Sequence, residues 1–183
     1  YDGAVMLQEY FFCGVHVVSP EVFRWLPKGK EYSIVKDCYP KLITSGKKIM
    51  AVLEHGYFTD LGTPKRLFDA NMLFLEGGVK FSHLDPFARF AMAKREMKKN
   101  RIYLGKRVKI SMSAKIVAPV LIDDDAIIES GAIIGPSVII GKNSVVGKRS
   151  KLTKTVVFSD TNIRKEEICT QMIACDESRI QVK

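Results

Sequence analysis

Residues 127–150 read IIESGA, IIGPSV, IIGKNS, VVGKRS. The same six-residue step runs outward from this block in both directions. Leu104, Ile110, Ile116, Ile122, Ile128, Ile134, Ile140, Val146, Leu152 and Phe158 recur on it without a gap. In a chain that is 46% apolar, ten hits in one phase arise by chance only about 4 times in 10,000. The position four beyond each anchor is small: Val108, Ala114, Val120, Ala126, Ala132, Val138, Ser144, Ser150, Val156 and Asn162. Alternate side chains of a strand share a face. Each anchor and the small residue two before it therefore point inward together, and a large residue beside a small one fills a narrow prism. The residues between them make tight turns, which explains the Gly, Ser, Asp, Asn and Lys found there. A period of six is the signature of a parallel β-helix, and at three steps per coil the pattern predicts about three coils.

The residue just before each anchor should point outward. Residues three steps apart then share a face. One face shows Leu121, Ile139 and Val157. A second shows Lys109, Ile127, Val145 and Ile163, and a third Lys115, Ile133 and Lys151. Contiguous outward aliphatics mark an interface, so the first two faces are expected to be covered and the third wet. Ile163, Ile168 and Ile173 fall out of phase and predict an irregular closing coil.

Upstream of Arg101 the sequence changes character. Phe11–Val18 (FFCGVHVV), Ile49–Leu53 and Tyr57–Leu61 read as strands. Ser19-Pro20-Glu21 opens a short helix through Trp25-Leu26, with an N-cap, a first-turn proline and a first-turn acid. Ser33 caps a second helix that carries Ile34, Val35, Cys38, Leu42 and Ile43 on one side. Pro40 should kink or break it, and Gly46 should close it. Thr63-Pro64 opens a third helix that runs to about Glu76 and stops at Gly77-Gly78. This alternation predicts an α/β layer. Residues 84–100 form an amphipathic pattern with Leu84, Phe87, Phe90, Ala91 and Met97 on its apolar side. The expected organisation is thus an α/β part over 1–78, a linker helix over 79–100 and a left-handed β-helix over 101–183.

The charge is +9, from 29 basic and 20 acidic residues. That balance suits nucleic acid or small anions such as phosphates and nucleotides. The basic residues Lys94, Arg95, Lys98 and Lys99 read as a solvated helix face, with a phosphate-facing or nucleic-acid patch as the alternative, and nucleic acid is not an expected partner. No apolar run approaches the ~18 residues of a membrane span. The opening residues lack the pattern of a signal peptide. Cys13, Cys38, Cys169 and Cys175 form no C-x-x-C pair, so reduced thiols in a cytoplasmic protein are expected. The chain opens on Tyr1 and reads as a piece of a longer polypeptide.

Three segments carry a more specific signal. They are Cys13-Gly14-Val15-His16-Val17-Val18-Ser19-Pro20-Glu21-Val22, then Tyr39-Pro40-Lys41-Leu42, then Gly56-Tyr57-Phe58-Thr59-Asp60-Leu61-Gly62-Thr63-Pro64. In order and spacing they resemble the C-terminal portion of sugar-1-phosphate nucleotidyltransferases, whose versions look like (T/A)-G-I-x-V-x-S-P-E-V, F/Y-P-x-L and G-Y-W-x-D-I-G-T-P. A solenoid of hexapeptide repeats follows this domain in mannose-1-phosphate guanylyltransferases and their relatives. The resemblance implies that the first part is a remnant of a Rossmann-like nucleotidyltransferase domain.

It also implies a reaction. A sugar 1-phosphate oxygen attacks the α-phosphate of a nucleoside triphosphate in line, and pyrophosphate leaves. Mg²⁺ and basic side chains bring the two anions together. Asp60 maps onto a metal-binding carboxylate, and Cys13 and Gly14 map onto the floor of the sugar pocket. This chain has Phe-Cys-Gly where relatives carry Asn-Ala-Gly or Phe-Thr-Gly, which replaces a hydroxyl by a thiol, and Phe58 stands where Trp is common. The family's nucleotide-binding loop, G-x-G-T-R-L-x-P-L-T, has no match here, and its other metal-binding aspartate belongs upstream. The expected partners are therefore a sugar 1-phosphate and a nucleoside triphosphate in the intact protein, with a homo-oligomer formed through the β-helix. A non-catalytic assembly or regulatory module is the alternative. A hexapeptide acyltransferase would need a histidine on the solenoid, but His16, His55 and His83 all precede Arg101.

Overall fold

A computed structural model of the chain describes residues 10–26, 28–79, 86–90 and 101–183. They divide into two compact units at Phe58/Thr59.

In the first unit the caps act as the sequence predicts. Ser19 accepts the Glu21 N–H and starts a 3₁₀ helix over Pro20–Trp25. Ser33 accepts the Lys36 N–H and starts a π-helical turn over Ile34–Cys38. The break expected at Pro40 is the point where this turn hands over to helix α1, Tyr39–Thr44, with Pro40 in its first turn. Gly46, at φ +73°, closes α1. Cys38 and Leu42 are buried, whereas Val35 and Ile43 are exposed.

The expected strands over 11–18, 49–53 and 57–61 do not form among the described residues, so the Rossmann-like layer is not seen. The physical reason is partnership. Their near-continuous apolar runs suit parallel strands buried on both faces, and such strands exist only through neighbours that complete their hydrogen bonds. Here Phe11, Val15, Val17, Met50 and Val52 are all exposed.

The second unit holds the solenoid. Helix α2 (Pro64–Leu75) precedes it. The first coil is β1 (Ile102–Leu104), β2 (Lys109–Ile110) and β3 (Lys115–Ile116). The second is β4 (Val120–Ile122), β5 (Ile127–Ile128) and β6 (Ile133–Ile134). The third is β7 (Val138–Ile140), β8 (Val145–Val146) and the first part of β9 (Lys151–Val157). The rest of β9, β10 (Asn162–Ile163) and the start of β11 (Ile168–Cys175) make the fourth. The structure thus has about four turns rather than three. Strands pair in parallel with the coil below, for example Ile102 with Val120 and Ile127 with Val145. β11 then doubles back antiparallel onto β12 (Ser178–Gln181), which closes the end.

The inward row is the predicted one through Leu152. Ile122, Ile134, Ile140, Val146 and Leu152 are fully buried, beside the small residues Ala126, Ala132, Ser144 and Ser150. Beyond Leu152 the phase slips by one residue. Ile134 pairs with Leu152 but Val138 pairs with Thr155, so the corner Gly135-Pro136-Ser137 is matched by Thr153-Lys154 alone. Val157 therefore takes the inward place expected of Phe158, which lies 36% exposed. Thr155 and Thr161 replace Val156 and Asn162 as the small inward partners, and Ile163 turns inward instead of outward. The inward hydroxyls find partners. Thr155 Oγ1 donates to the Cys169 carbonyl at 3.1 Å, and Ser144 Oγ to the Phe158 carbonyl at 2.8 Å.

The first outward face is covered, as predicted. After the slip it runs Leu121, Ile139, Val156 and Ile173. Phe68 and Met72 of α2 pack with Val156, Ile173 and Val182, and Leu75 packs with Leu121 and Phe90. The second face is open in the chain: Ile127 is 36% exposed and Lys109 and Asn162 are exposed. Lys115 and Lys151 on the third are exposed, as expected. Most of the predicted linker helix lies outside the described residues. Within 86–90 a 3₁₀ turn forms over Ala88–Phe90, and Phe87 stacks on Tyr103 at 4.5 Å.

The closing hairpin is tied down by Arg179. Its guanidinium pairs with Glu167 and donates to the Asn162 carbonyl at 2.9 Å. Burial pushes the Glu167 carboxyl up, but Arg179 and the Arg164 N–H outweigh it and hold the group below its ordinary 4.5. A depressed carboxylate stabilises the fold above its unfolded value and loses that contribution as pH falls through its folded value. Arg179→Met should therefore lower the melting temperature at pH 7, with the gap to the parent narrowing as pH drops below about 4. A gap that is constant with pH would show that the pair contributes nothing. Leu152→Ala in the fully buried row should cost about 2–5 kcal/mol in urea unfolding of the solenoid.

Candidate functional site

The three resemblance segments are placed as follows. Cys13 and Gly14 lie in the first unit, in irregular chain that bends at Gly14 before the 3₁₀ helix, and both are exposed. Gly14 sits at φ +83°, and a Cβ added there would meet nothing within 4 Å. Its backbone is therefore open to a ligand. The flanking side chains tie this stretch to the second segment. His16 Nδ1 is hydrogen-bonded to the Tyr39 hydroxyl at the head of α1. Phe12 stands edge-on to the His16 ring at 4.6 Å. Phe11 packs against Phe58 of the third segment at 5.3 Å. The first unit thus brings together parts of all three segments. Tyr39 and His16 were not singled out by sequence reading, although each lies inside a quoted motif.

Asp60 belongs to the second unit. It ends the run Gly56-Tyr57-Phe58-Thr59 and begins a tight turn. Its Oδ1 accepts the Gly62 N–H at 2.9 Å. A Cβ at Gly62 would lie 3.1 Å from that oxygen, so glycine lets the carboxylate fold back on the chain. Thr63 then caps α2 by accepting the Arg66 N–H at 3.3 Å, and Pro64 takes the first helical position. Asp60 Oδ2 accepts from Arg66 Nη1 at 2.6 Å. Arg66 is the residue that sequence reading missed. Its signal was positional: a cation in the first turn of a helix, where the macrodipole disfavours one, points to a local counter-ion.

Asp60 is exposed and each of its oxygens keeps a lone pair beyond its one hydrogen bond. A carboxylate of this kind fits a hard divalent cation such as Mg²⁺ as one ligand. Among the described residues no group of three His, Cys, Asp or Glu could hold a metal ion. An apolar groove of about 330 Å³ between α2 and the solenoid is lined by Phe74, Phe87, Phe90, Leu121 and Ile139, with Asp123 and Arg89 at its polar side. None of Cys13, Gly14 or Asp60 lines it.

Residues 116–183 match the family model of the GMPPB C-terminal domain. The chain is also similar to a UTP–glucose-1-phosphate uridylyltransferase of Synechocystis sp. (strain ATCC 27184 / PCC 6803 / Kazusa), 37% identical over 49 residues. That stretch covers 27% of this chain and 13% of the relative's length. Both matches support the resemblance to the C-terminal portion of a sugar-1-phosphate nucleotidyltransferase, and with it a domain of the nucleotide-sugar pyrophosphorylase type.

Backbone conformation and not space decides what Gly14 tolerates. Gly14→Ala should destabilise the first unit by about 1–2 kcal/mol although the added methyl touches nothing, and Gly14→Asn should cost less. Urea unfolding followed by Trp25 fluorescence measures both. Equal losses for Ala and Asn would show that the left-handed backbone is not the constraint.

Proposed function

We propose that this chain is the sugar-side and assembly portion of a nucleotidyltransferase. That enzyme would make a nucleoside diphosphate sugar and pyrophosphate from a sugar 1-phosphate and a nucleoside triphosphate. One observation carries the reading. The run Asp60-Leu61-Gly62-Thr63-Pro64 forms a fixed turn at the head of α2, and α2 is packed onto the solenoid that gives the family match. The carboxylate and the assembly element are thus one mechanical piece.

In this reading each residue has a limited task. Asp60 presents a carboxylate to the reacting phosphates from a turn held by Gly62. Gly14 offers an open backbone, and Cys13 a thiol, to the sugar. A thiol is a weaker hydrogen-bond partner than a hydroxyl, so backbone contacts at Gly14 carry more of the sugar recognition than Cys13 does. Mg²⁺, with Asp60 among its ligands, would neutralise phosphate charge in the in-line displacement. The glycine-rich loop that grips the nucleotide has no counterpart in residues 1–183, so the chain by itself lacks the positioning that such transfer needs. The open second face, with Ile127 and Val145, suits assembly into a homo-oligomer. No helix among the described residues is long and apolar enough to cross a membrane, which is compatible with the cytoplasmic setting proposed here.

Pyrophosphate release with a panel of sugar 1-phosphates and nucleoside triphosphates tests the reading. The chain alone should be silent. A polypeptide that joins it to a glycine-rich nucleotide-binding half should turn over. Synthesis of a nucleotide sugar by the 183-residue chain alone would overturn this division of labour. In the joined polypeptide, Asp60→Asn should lower turnover by about a hundredfold or more, as loss of several kcal/mol of charge stabilisation demands. A rate within threefold of the parent at saturating Mg²⁺ would make Asp60 a turn residue only.

A further inference from the structure

The two ends of the solenoid differ. The far end is closed by β12 and Arg179. At the near end, among the described residues, β2 and β3 pair only with the second coil. The Lys109, Ser111, Lys115 and Val117 N–H groups all donate to second-coil carbonyls. Alternate residues of a parallel strand turn their peptide groups to opposite neighbours, so those of Ile110 and Ile116 face away from the second coil. The inward row loosens here too. Ile128 and Ile134 are fully buried, whereas Ile110 and Ile116 are half-buried. The first coil thus ends in a strand edge with two half-covered isoleucines six positions apart.

Charge decides what suits that edge. From Arg101 to Ile122 there are five basic residues and no acidic one. Arg107 is satisfied by Asp125. Lys109 and Lys115 are exposed, and among the described residues neither forms an ion pair. A second copy stacked end to end would set basic edge against basic edge. The sequence directly upstream, 91–100, is basic as well, with Lys94, Arg95, Lys98 and Lys99 against Glu96. A nucleic acid would meet the lysines but leave the peptide groups and the two isoleucines unmatched.

We propose that the first coil is a docking edge for an acidic extended peptide of a partner protein, which adds one more rung to the ladder. The register fixes its pattern. Each second-coil strand sets one residue beside Lys109 or Lys115 and its next residue on Ile110 or Ile116. A partner strand in the same register would carry Asp or Glu against each lysine and Val or Ile against each isoleucine, the two pairs six residues apart. Opposite charges directly across neighbouring strands are favourable.

Amide exchange in the 183-residue chain reads the edge directly. The probe is a synthetic peptide with two Glu-Val pairs six residues apart in an otherwise Ser-Gly sequence. The Ile110 and Ile116 amides should exchange fast in the chain alone and about tenfold slower or more with saturating peptide. Those of Ile128 and Ile134 should stay protected throughout. Peptide anisotropy should show about tenfold weaker binding to the double variant Lys109→Glu, Lys115→Glu, and a peptide with Lys-Val pairs should bind that variant in its place. The proposal fails if the Glu-Val peptide does not bind, or if a scrambled peptide of the same composition binds equally. A single-stranded oligonucleotide that slows the same amides with the same lysine dependence would make this a polyanion surface instead. Protection of Ile110 and Ile116 in the chain alone also overturns it. If dilution removes that protection, a second copy covers the edge, and if dilution leaves it, the chain covers itself.

Discussion

The parallel ladder between successive coils is the constraint on which the rest of the second unit depends. Each strand of two or three residues is too short to stand alone. It exists because the same strand one coil away supplies its hydrogen bonds. That repetition forces every coil to place an inward residue at the same height, and it makes the corners repeat as well. Arg107, Asp125, Asn143 and Asp160 all occupy left-handed backbone at one corner, at φ between 54° and 61°. Asp and Asn tolerate that region best. Arg107 accepts the strain with its guanidinium bidentate on Asp125 one coil up, at 2.6 and 2.7 Å.

The solenoid was legible because its physics is local and periodic. Six-residue spacing decides which residues face in, and burial of Ile122, Ile134 and Ile140 follows from it. The slip after Leu152 was not legible, because Thr153-Lys154 still reads as a turn whether the corner holds two residues or three. Only pairing to the coil below reveals that one is missing. Phe158 also continued the apolar count by coincidence. The first unit shows the opposite limit. Its caps at Ser19 and Ser33 are local and were readable, but its strands are defined by partners that no local pattern supplies. The Asp60 turn was legible as a motif and the Arg66 contact was not, since a salt bridge six residues away leaves no periodic trace.

Helix α2 links the two kinds of order. Its inner residues Phe68, Met72 and Leu75 meet an outward stripe on the solenoid that a soluble β-helix would otherwise leave wet. Such a stripe is costly in water, so α2 and the first face stabilise each other. The turn that carries Asp60 is thereby attached to the solenoid through the packing of α2. A carboxylate on a free loop would lose more conformational entropy on meeting a charged ligand than one on a turn already fixed at both ends.

The closing hairpin has a consequence for how the molecule behaves in a crowd of its own kind. A stacked coil is a template, and its last turn offers bare carbonyls to any strand that arrives in parallel. Here those carbonyls are spent internally. Arg179 takes the one on Asn162, and the Gln181 amide takes those on Thr170 and Gln171 at 3.0 Å. The strand laid across the top, β12, runs antiparallel and spans only four residues. A second solenoid docking head-on at this end would meet a short antiparallel strand in place of a full parallel coil, with the Asn162, Thr170 and Gln171 carbonyls already taken.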